Sequence, residues 1–427
     1  MALSGRQRDF LRTFGPGMLF ASTAIGVSHL IQSTRAGAEY GFLMIGVVCI
    51  ANLLKYPFFE FSSRYSNVTG TSIIDGYGRL GRHFLIMYLV VTLASMFIIT
   101  GAVGFVTAGF FENLFGVQFL GIWSIVILFG VCFVILCTGK YNTLDGVIKT
   151  ISAVMIVSTT AAFLIALTNG PVHQTEQHIM PEIFTHAGIL FLVALIGWMP
   201  MPVDISSWHG LWTLERIKQT KFRPSLKSTL LDFNIGYLVT SVLAVFFVVL
   251  GTYLFFGSSE ALPNNNAQFA EKVVTMYTQT IGSWNYLIIA AAAFSVMFGT
   301  IVAVFDGYSR AVQRTVLLLK NNSKDVQNAS EYRKIYFIVL VSLAIGSSIL
   351  VIPFGRNLKE LVDFATAVSF VIAPIIAVFN YKLVSRKYLN DGVPPVWLRA
   401  LAVAGIIFLT GFAAFFLLIH FLPGFVI

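Results

Sequence analysis

Charge is the scarcest commodity in this 427-residue sequence: Asp, Glu, Lys and Arg make up 11% of it, against 57% hydrophobic residues. Soluble domains carry about a quarter of their residues charged, so no soluble globular class fits, and the mean hydropathy of +0.81 agrees. Cysteine is nearly missing too. Cys49, Cys132 and Cys137 all fall inside apolar runs, at no metal or disulfide spacing, and read as small buried hydrophobes. No polar stretch is long enough for a separate soluble domain. Residues 1–14 carry Arg6, Arg8 and Arg12 without a small-residue cleavage site, so no removed signal peptide is expected. No hydrolase motif, phosphate loop or zinc-ligand spacing occurs, which leaves an enzyme reading and a resident cofactor without support. The net charge of +9 does not call for nucleic acid, because the basic residues sit in short connectors between apolar runs.

What is present is a series of such runs, each long enough to cross a bilayer. Eleven spans are expected, at roughly 14–33, 41–63, 83–111, 118–138, 145–169, 187–211, 231–256, 282–318, 334–353, 361–381 and 397–421. The chain is therefore an all-α polytopic membrane protein, with the lipid bilayer as its surroundings. Cytoplasmic connectors of such proteins are rich in Lys and Arg. With the N-terminus inside, 23 of the 28 Lys and Arg fall in inner segments and 4 outside: Arg35, Lys272, Arg356 and Lys359. Lys55 falls within the second span. The expected arrangement has the N-terminus in the cytoplasm and the C-terminus outside, in a plasma (inner) membrane, and a monomer.

Two spans are interrupted. The sixth contains Gly197, Pro200 and Pro202 near mid-depth, and two prolines so close remove backbone donors and break a helix. The first holds Gly26-Val27-Ser28-His29 at the same depth. Broken backbone inside a membrane is tolerated where it is covered by protein or lines a cavity, and paired broken spans mark a solute pathway. They lie five spans apart, which is the spacing of two inverted five-helix repeats: residues 1–169 and 187–386, with 397–421 as a further helix. The alternative is a plain proline kink without a ligand.

Several motifs then resemble one family, in order and spacing. They are Gly15-Pro16-Gly17, the run Ala36-Gly37-Ala38-Glu39-Tyr40-Gly41, Ala51-Asn52-Leu53 with Arg64, and Val68-Thr69-Gly70. Gly139-Lys140-Tyr141 with Leu144-Asp145 and Lys149 follows, then Gly197 with Met201-Pro202, and a weaker collinear match runs through Asp232, Gly299-Thr300 and Pro374. These resemble the NRAMP (natural resistance-associated macrophage protein) family. The resemblance implies a LeuT-type fold and proton-coupled import of divalent transition metals such as Mn²⁺ or Fe²⁺.

It also implies a site, and there this sequence departs from the pattern. The family's Asp-Pro-Gly-Asn falls on Gly26, Val27, Ser28 and His29, so the ligating Asp and Asn are both replaced. The methionine ligand is kept as Met201, the histidine two residues on becomes Val203, and the position supplying a backbone carbonyl is Trp198. The acidic pair of the third span falls on Thr100 and Val103, and the glutamine of the tenth near Thr366.

The expected substrate-binding residues are thus Gly26, Ser28, His29, Trp198, Met201 and Thr366, with His29 and Met201 as the metal ligands if the solute is a metal. One imidazole and one thioether suit a soft monovalent ion such as Cu(I) better than Mn²⁺ or Mg²⁺. An indole beside them suits a small organic, cationic or zwitterionic solute. Equally, Trp198 is open to plain packing, and His29 to a hydrogen bond with an unwound carbonyl. Coupling or gating falls to Asp204, Lys55, Asp306 and Arg310. Lys55 either stands in for a coupling cation, pairs with Glu60, or snorkels. Asp204 is either the acid the third span has lost or a helix N-cap. Asp306 and Arg310 are spaced for an i, i+4 salt bridge. His173, His178 and His186 with Glu176 and Glu182 lie on one outer loop, at a spacing that suits solvation better than metal collection. By the family resemblance the nominal function is secondary transport of a divalent metal ion through an altered site without the proton-route acids; transport of a non-metal organic solute and a non-transporting membrane sensor are the alternatives.

Overall fold

The computed structural model describes residues 13, 15–138, 141–172, 183–258, 262–321, 329–355, 357–389 and 391–421. Gly139, Lys140, His173, Glu176, His178, Glu182 and the basic residues Arg6, Arg8, Arg12, Lys324 and Arg356 lie outside them, as do the side chains of Tyr141, Leu144, Asp145 and Lys149. All regular structure among the described residues is helical.

Span one is α1 (Pro16–Ala24), a break, a wide π-helical turn (Ser28–Ser33) and α2 (Thr34–Tyr40). Span two is α3 (Leu43–Thr69), followed by a short amphipathic link, α4 (Ile73–Leu80). Ser72 and Asp75 close the start of α4 with a reciprocal capping box. Spans three, four and five are α5 (Arg82–Phe115), α6 (Ile122–Thr138) and α7 (Tyr141–Asn169). Span six is α8 (His186–Trp198), a break, one 3₁₀ turn (Val203–Ile205) and α9 (Ser206–Thr220). Span seven is α10 (Leu226–Phe255), and α11 (Asn266–Ile281) is a link whose start is capped by the Asn265 side chain. Spans eight to eleven are α12 (Tyr286–Asn321), α13 (Ala329–Val351), α14 (Leu358–Leu383) and α15 (Val396–Phe421).

Eight of these segments are long and apolar enough to cross a membrane outright. Span four is a shorter apolar helix, α7 is apolar over Ala153–Asn169, and span one is divided. α9 runs to Thr220, about two turns past the expected end of span six. Burial sorts the spans into layers. The span six segment is 89% buried in its apolar stretch, whereas α13 and α15 are each 28% buried and stand at the rim. The broken helices are therefore the centre of the bundle, and they are held there by close backbone contacts. A Cβ on Gly17 would stand 2.0 Å from the Asp232 carbonyl oxygen, so glycine lets α1 lie directly on α10. The same Asp232 carboxylate accepts the Gly15 and Gly17 amides at 3.2 and 2.7 Å, which places a negative charge on the first turn of α1.

Candidate functional site between the two breaks

The first break is built by a change of pitch. Ala24 ends α1, Ile25 leaves helical geometry, and the chain re-enters a helix only at Ser28. The second break is longer, covering residues 199–202, where Pro200 and Pro202 withhold donors. The two touch: the Ser28 hydroxyl lies 3.1 Å from the Pro200 carbonyl and 2.8 Å from that of Ala24.

Between them is a cavity of about 30 Å³, walled by Thr23, Ala24, Val27 and Ser28 from span one and by Trp198 and residues 200–202 from span six. Ile99 and Val103 of α5 and Thr300 and Val304 of α12 close the sides. It has room for a water molecule or a small ion and no more. Its polar atoms are hydroxyls, freed carbonyls and the Met201 sulfur. Gly26 meets Thr300 edge on: a Cβ there would stand 3.0 Å from the threonine oxygen.

The expected site residues separate into two groups. Ser28, Trp198 and Met201 line the cavity, with Gly26 immediately behind it. His29 does not line it. Its Nε2 lies 2.9 Å from the Thr240 carbonyl, which can only accept, so that nitrogen carries the proton. Nδ1 faces the Ser28 hydroxyl at 2.8 Å, and the ring stands edge-on to Phe247. Both ligating nitrogens are thus engaged, Nε2 by α10 and Nδ1 by Ser28. Thr366 is also elsewhere, its hydroxyl turned onto the Val362 and Asp363 carbonyls of its own helix. Its backbone oxygen nevertheless packs on Gly197, where a Cβ would stand 2.4 Å away. The indole of Trp198 donates to Ser369 at 2.8 Å, which fixes the ring against α14 and presents it to the cavity. Thr23 and Ser369 are members the sequence did not single out, and their only signal is a hydroxyl within a span; Thr300 was quoted only as part of the Gly299-Thr300 match.

Lys55 is fully buried, and its ammonium donates to the Ile196 and Gly197 carbonyls at 2.9 Å each. It neither snorkels nor pairs with Glu60, whose carboxylate is taken by Arg64 at 3.0 Å. Asp204 is not a side-chain cap. It lies under the cavity with Oδ2 accepting from Ser95 at 2.8 Å and Tyr308 at 3.4 Å, while Oδ1 has no partner. Among the described residues, no three His, Cys, Asp or Glu side chains converge as a metal cluster.

Charged latches stand at both ends. At the end expected outside, Arg35 of α2 grips Asp363 of α14 at 2.8 and 3.2 Å, Gln32 bridges the pair, and Phe191 of α8 lies under the guanidinium at 4.9 Å. At the other end Asp306 and Arg310 form the expected i, i+4 pair at 2.7 Å. Tyr336 of α13 donates to Asp306 at 2.7 Å, and Glu215 of α9 lies 3.9 Å from Arg310. Arg314 grips Asp75 of α4. Trp208 of α9 seals the space above this cluster: a Cβ on Gly307 of α12 would stand 2.4 Å from its ring. Charged contacts between helices therefore stand at both ends of the bundle.

Comparison with known proteins places this arrangement. Residues 17–419 match the model of the family described as natural resistance-associated macrophage protein-like. An uncharacterized protein of Pasteurella multocida is 33% identical over 406 residues, covering 94% of this chain and 91% of that one. The divalent metal cation transporter MntH of Latilactobacillus sakei is 24% identical over 268 residues, 61% of this chain and 58% of that protein. Among solved structures, a mutant of the Eremococcus coleocola manganese transporter superposes with a TM-score of 0.70 at 14% identity, covering 98% of this chain and 90% of that one. The nucleobase-cation-symport-1 family transporter MHP1 does so with 0.58 at 13% identity, covering 95% and 91%. These likenesses identify the fold as LeuT-type. The family model spans nearly the whole chain and the Pasteurella relative is similar over nearly the whole of its length, so this protein is a member of the Nramp family.

Proposed function

We propose that the protein is a secondary transporter that carries a small solute between the two breaks by alternating access, with the N-terminus cytoplasmic, the C-terminus outside, and residues 1–169 and 187–386 as inverted repeats. The observation that carries this reading is the small cavity between two unwound segments in contact through Ser28 and Pro200, with a charged contact between helices at either end, Arg35 to Asp363 and Arg314 to Asp75. A solute held there is released to one side by opening one latch while the other stays shut.

The cargo follows from the wall. A divalent ion stripped of water needs several oxygen ligands and a compensating negative charge. The cavity offers hydroxyls, carbonyls and one thioether, and no carboxylate among its lining residues. His29 is engaged elsewhere and Lys55 places a positive charge behind the second break. We rank a small organic solute first, entering when the cavity widens and resting on the Trp198 ring. A metal ion is the second reading, favoured by the MntH relative and by Met201 on the wall. Screening melting temperature against metals, amines, amino acids and small acids separates the two. Stabilisation by an organic class, weakened in Trp198→Ala, supports the first; stabilisation by metals alone, abolished in Met201→Ala, supports the second.

A further inference from the structure

The C-terminal end of α8 is a place where a cation belongs. A helix ends with carbonyls that have no intrahelical partner and with the negative pole of its dipole. In a broken membrane span that end is desolvated, and in carriers built this way half-helix C-termini and unwound carbonyls hold a coupling cation. Here the carbonyl of Gly197 and that of Ile196, which also accepts the Met199 amide at 3.3 Å, face Lys55 of α3 at 2.9 Å each. The lysine has no exposed surface. Glu60, five residues along α3, is already held by Arg64.

We infer that Lys55 is a tethered cation: its ammonium occupies, from span two, the position at the end of α8 where a monovalent cation would otherwise bind. Removing the ammonium while keeping the fold exposes two aligned carbonyls to a free Na⁺, Li⁺, K⁺ or methylammonium ion. The ammonium also lies one residue behind Trp198, the position whose carbonyl the family resemblance assigns to the solute. It acts on a cationic cargo there as a like charge. The inference rests on the transporter reading only for its consequence, that the cycle needs no inorganic coupling cation. The position itself is read out by binding, so a failed solute screen and a failed cation screen are separate results.

The test is a melting experiment on purified protein in detergent, with choline chloride replaced stepwise by NaCl, LiCl, KCl or methylammonium chloride at constant ionic strength. Wild type is expected to melt at the same temperature in all five salts. Lys55→Met and Lys55→Gln are expected to melt lower in choline and to recover, with a saturable dose dependence, in at least one small cation. Saturable stabilisation of wild type by a small cation would overturn the inference, and this arm decides even if neither variant folds. It is equally overturned by variants as stable as wild type in choline, or by a loss that no cation restores. Recovery in the variants with an indifferent wild type supports it.

Discussion

The hydroxyl of Ser28 lies 3.1 Å from the carbonyl oxygen of Pro200, so a side chain of the first break touches the backbone of the second. The hydroxyl has one proton and three neighbours able to take it: the Ala24 and Pro200 carbonyls and His29 Nδ1. Ser28→Ala removes the contact and leaves the Pro200 carbonyl without this donor, at a cost of about 1 kcal/mol to the closed state. The expected outcome is a folded protein whose melting temperature falls by a few degrees. Its stabilisation by solute should weaken about fivefold in concentration, because the loss falls on the closed, solute-holding state. Melting curves across a solute titration check this; an unchanged midpoint concentration would count against a site at the breaks.

In the proposed cycle, opening towards the outside parts Arg35 from Asp363. Arg35 has 4% of its side chain exposed, so Asp363→Asn leaves a nearly buried guanidinium with weaker partners. Destabilising the outer latch by about 1–2 kcal/mol should raise the outward-open population about tenfold. A single reporter, Thr23→Cys on the cavity wall, introduced after Cys49, Cys132 and Cys137 are replaced by serine, should then react faster with an impermeant maleimide added outside. No change in rate would remove the latch from the account.

The inner cluster should act in the opposite sense. Arg310→Gln breaks the pair with Asp306 within α12 and the contact with Glu215, which connects α12 to α9. Labelling of the same reporter from the cytoplasmic side is expected to accelerate, while outside labelling slows. Acceleration from both sides together would show general loosening instead of a gate.

Gly197 tests the packing beneath the site. A Cβ at this position would lie 2.4 Å from the Thr366 carbonyl oxygen, and both partners are backbone. Gly197→Ala should cost about 1–3 kcal/mol, since neither helix can yield by a rotamer change. The readout is a fall in melting temperature, larger than for Gly130→Ala, where a Cβ meets open space.

The architecture was legible in the sequence because membrane insertion leaves strong marks. Apolar length gave the spans, and the prolines and Gly26 located both breaks to within a few residues. The amphipathic links α4 and α11 were missed, since they are too polar to register as spans. The site was legible as a place more than as a set of atoms. Position 29 lies at the right depth, but the π-helical turn after Ser28 aims the His29 ring at α10 instead of the cavity. Lys55 finds its partners 141 and 142 residues away, on a helix end that exists only because span six breaks. Asp363, the partner of Arg35, carried no motif and was not singled out. Ser369 became visible only when α14 came to lie against Trp198.

The most direct test of the central claim is uptake by sealed proteoliposomes carrying the wild-type protein, with Mn²⁺ or Fe²⁺ outside and an inward proton gradient. A cavity with no carboxylate in its wall, backed by the Lys55 ammonium, predicts no saturable metal accumulation above that of empty liposomes. Organic solutes that raise the melting temperature should, in the same vesicles, exchange across the membrane. Saturable Mn²⁺ uptake that is lost in Met201→Ala would contradict the account and restore the metal as the cargo.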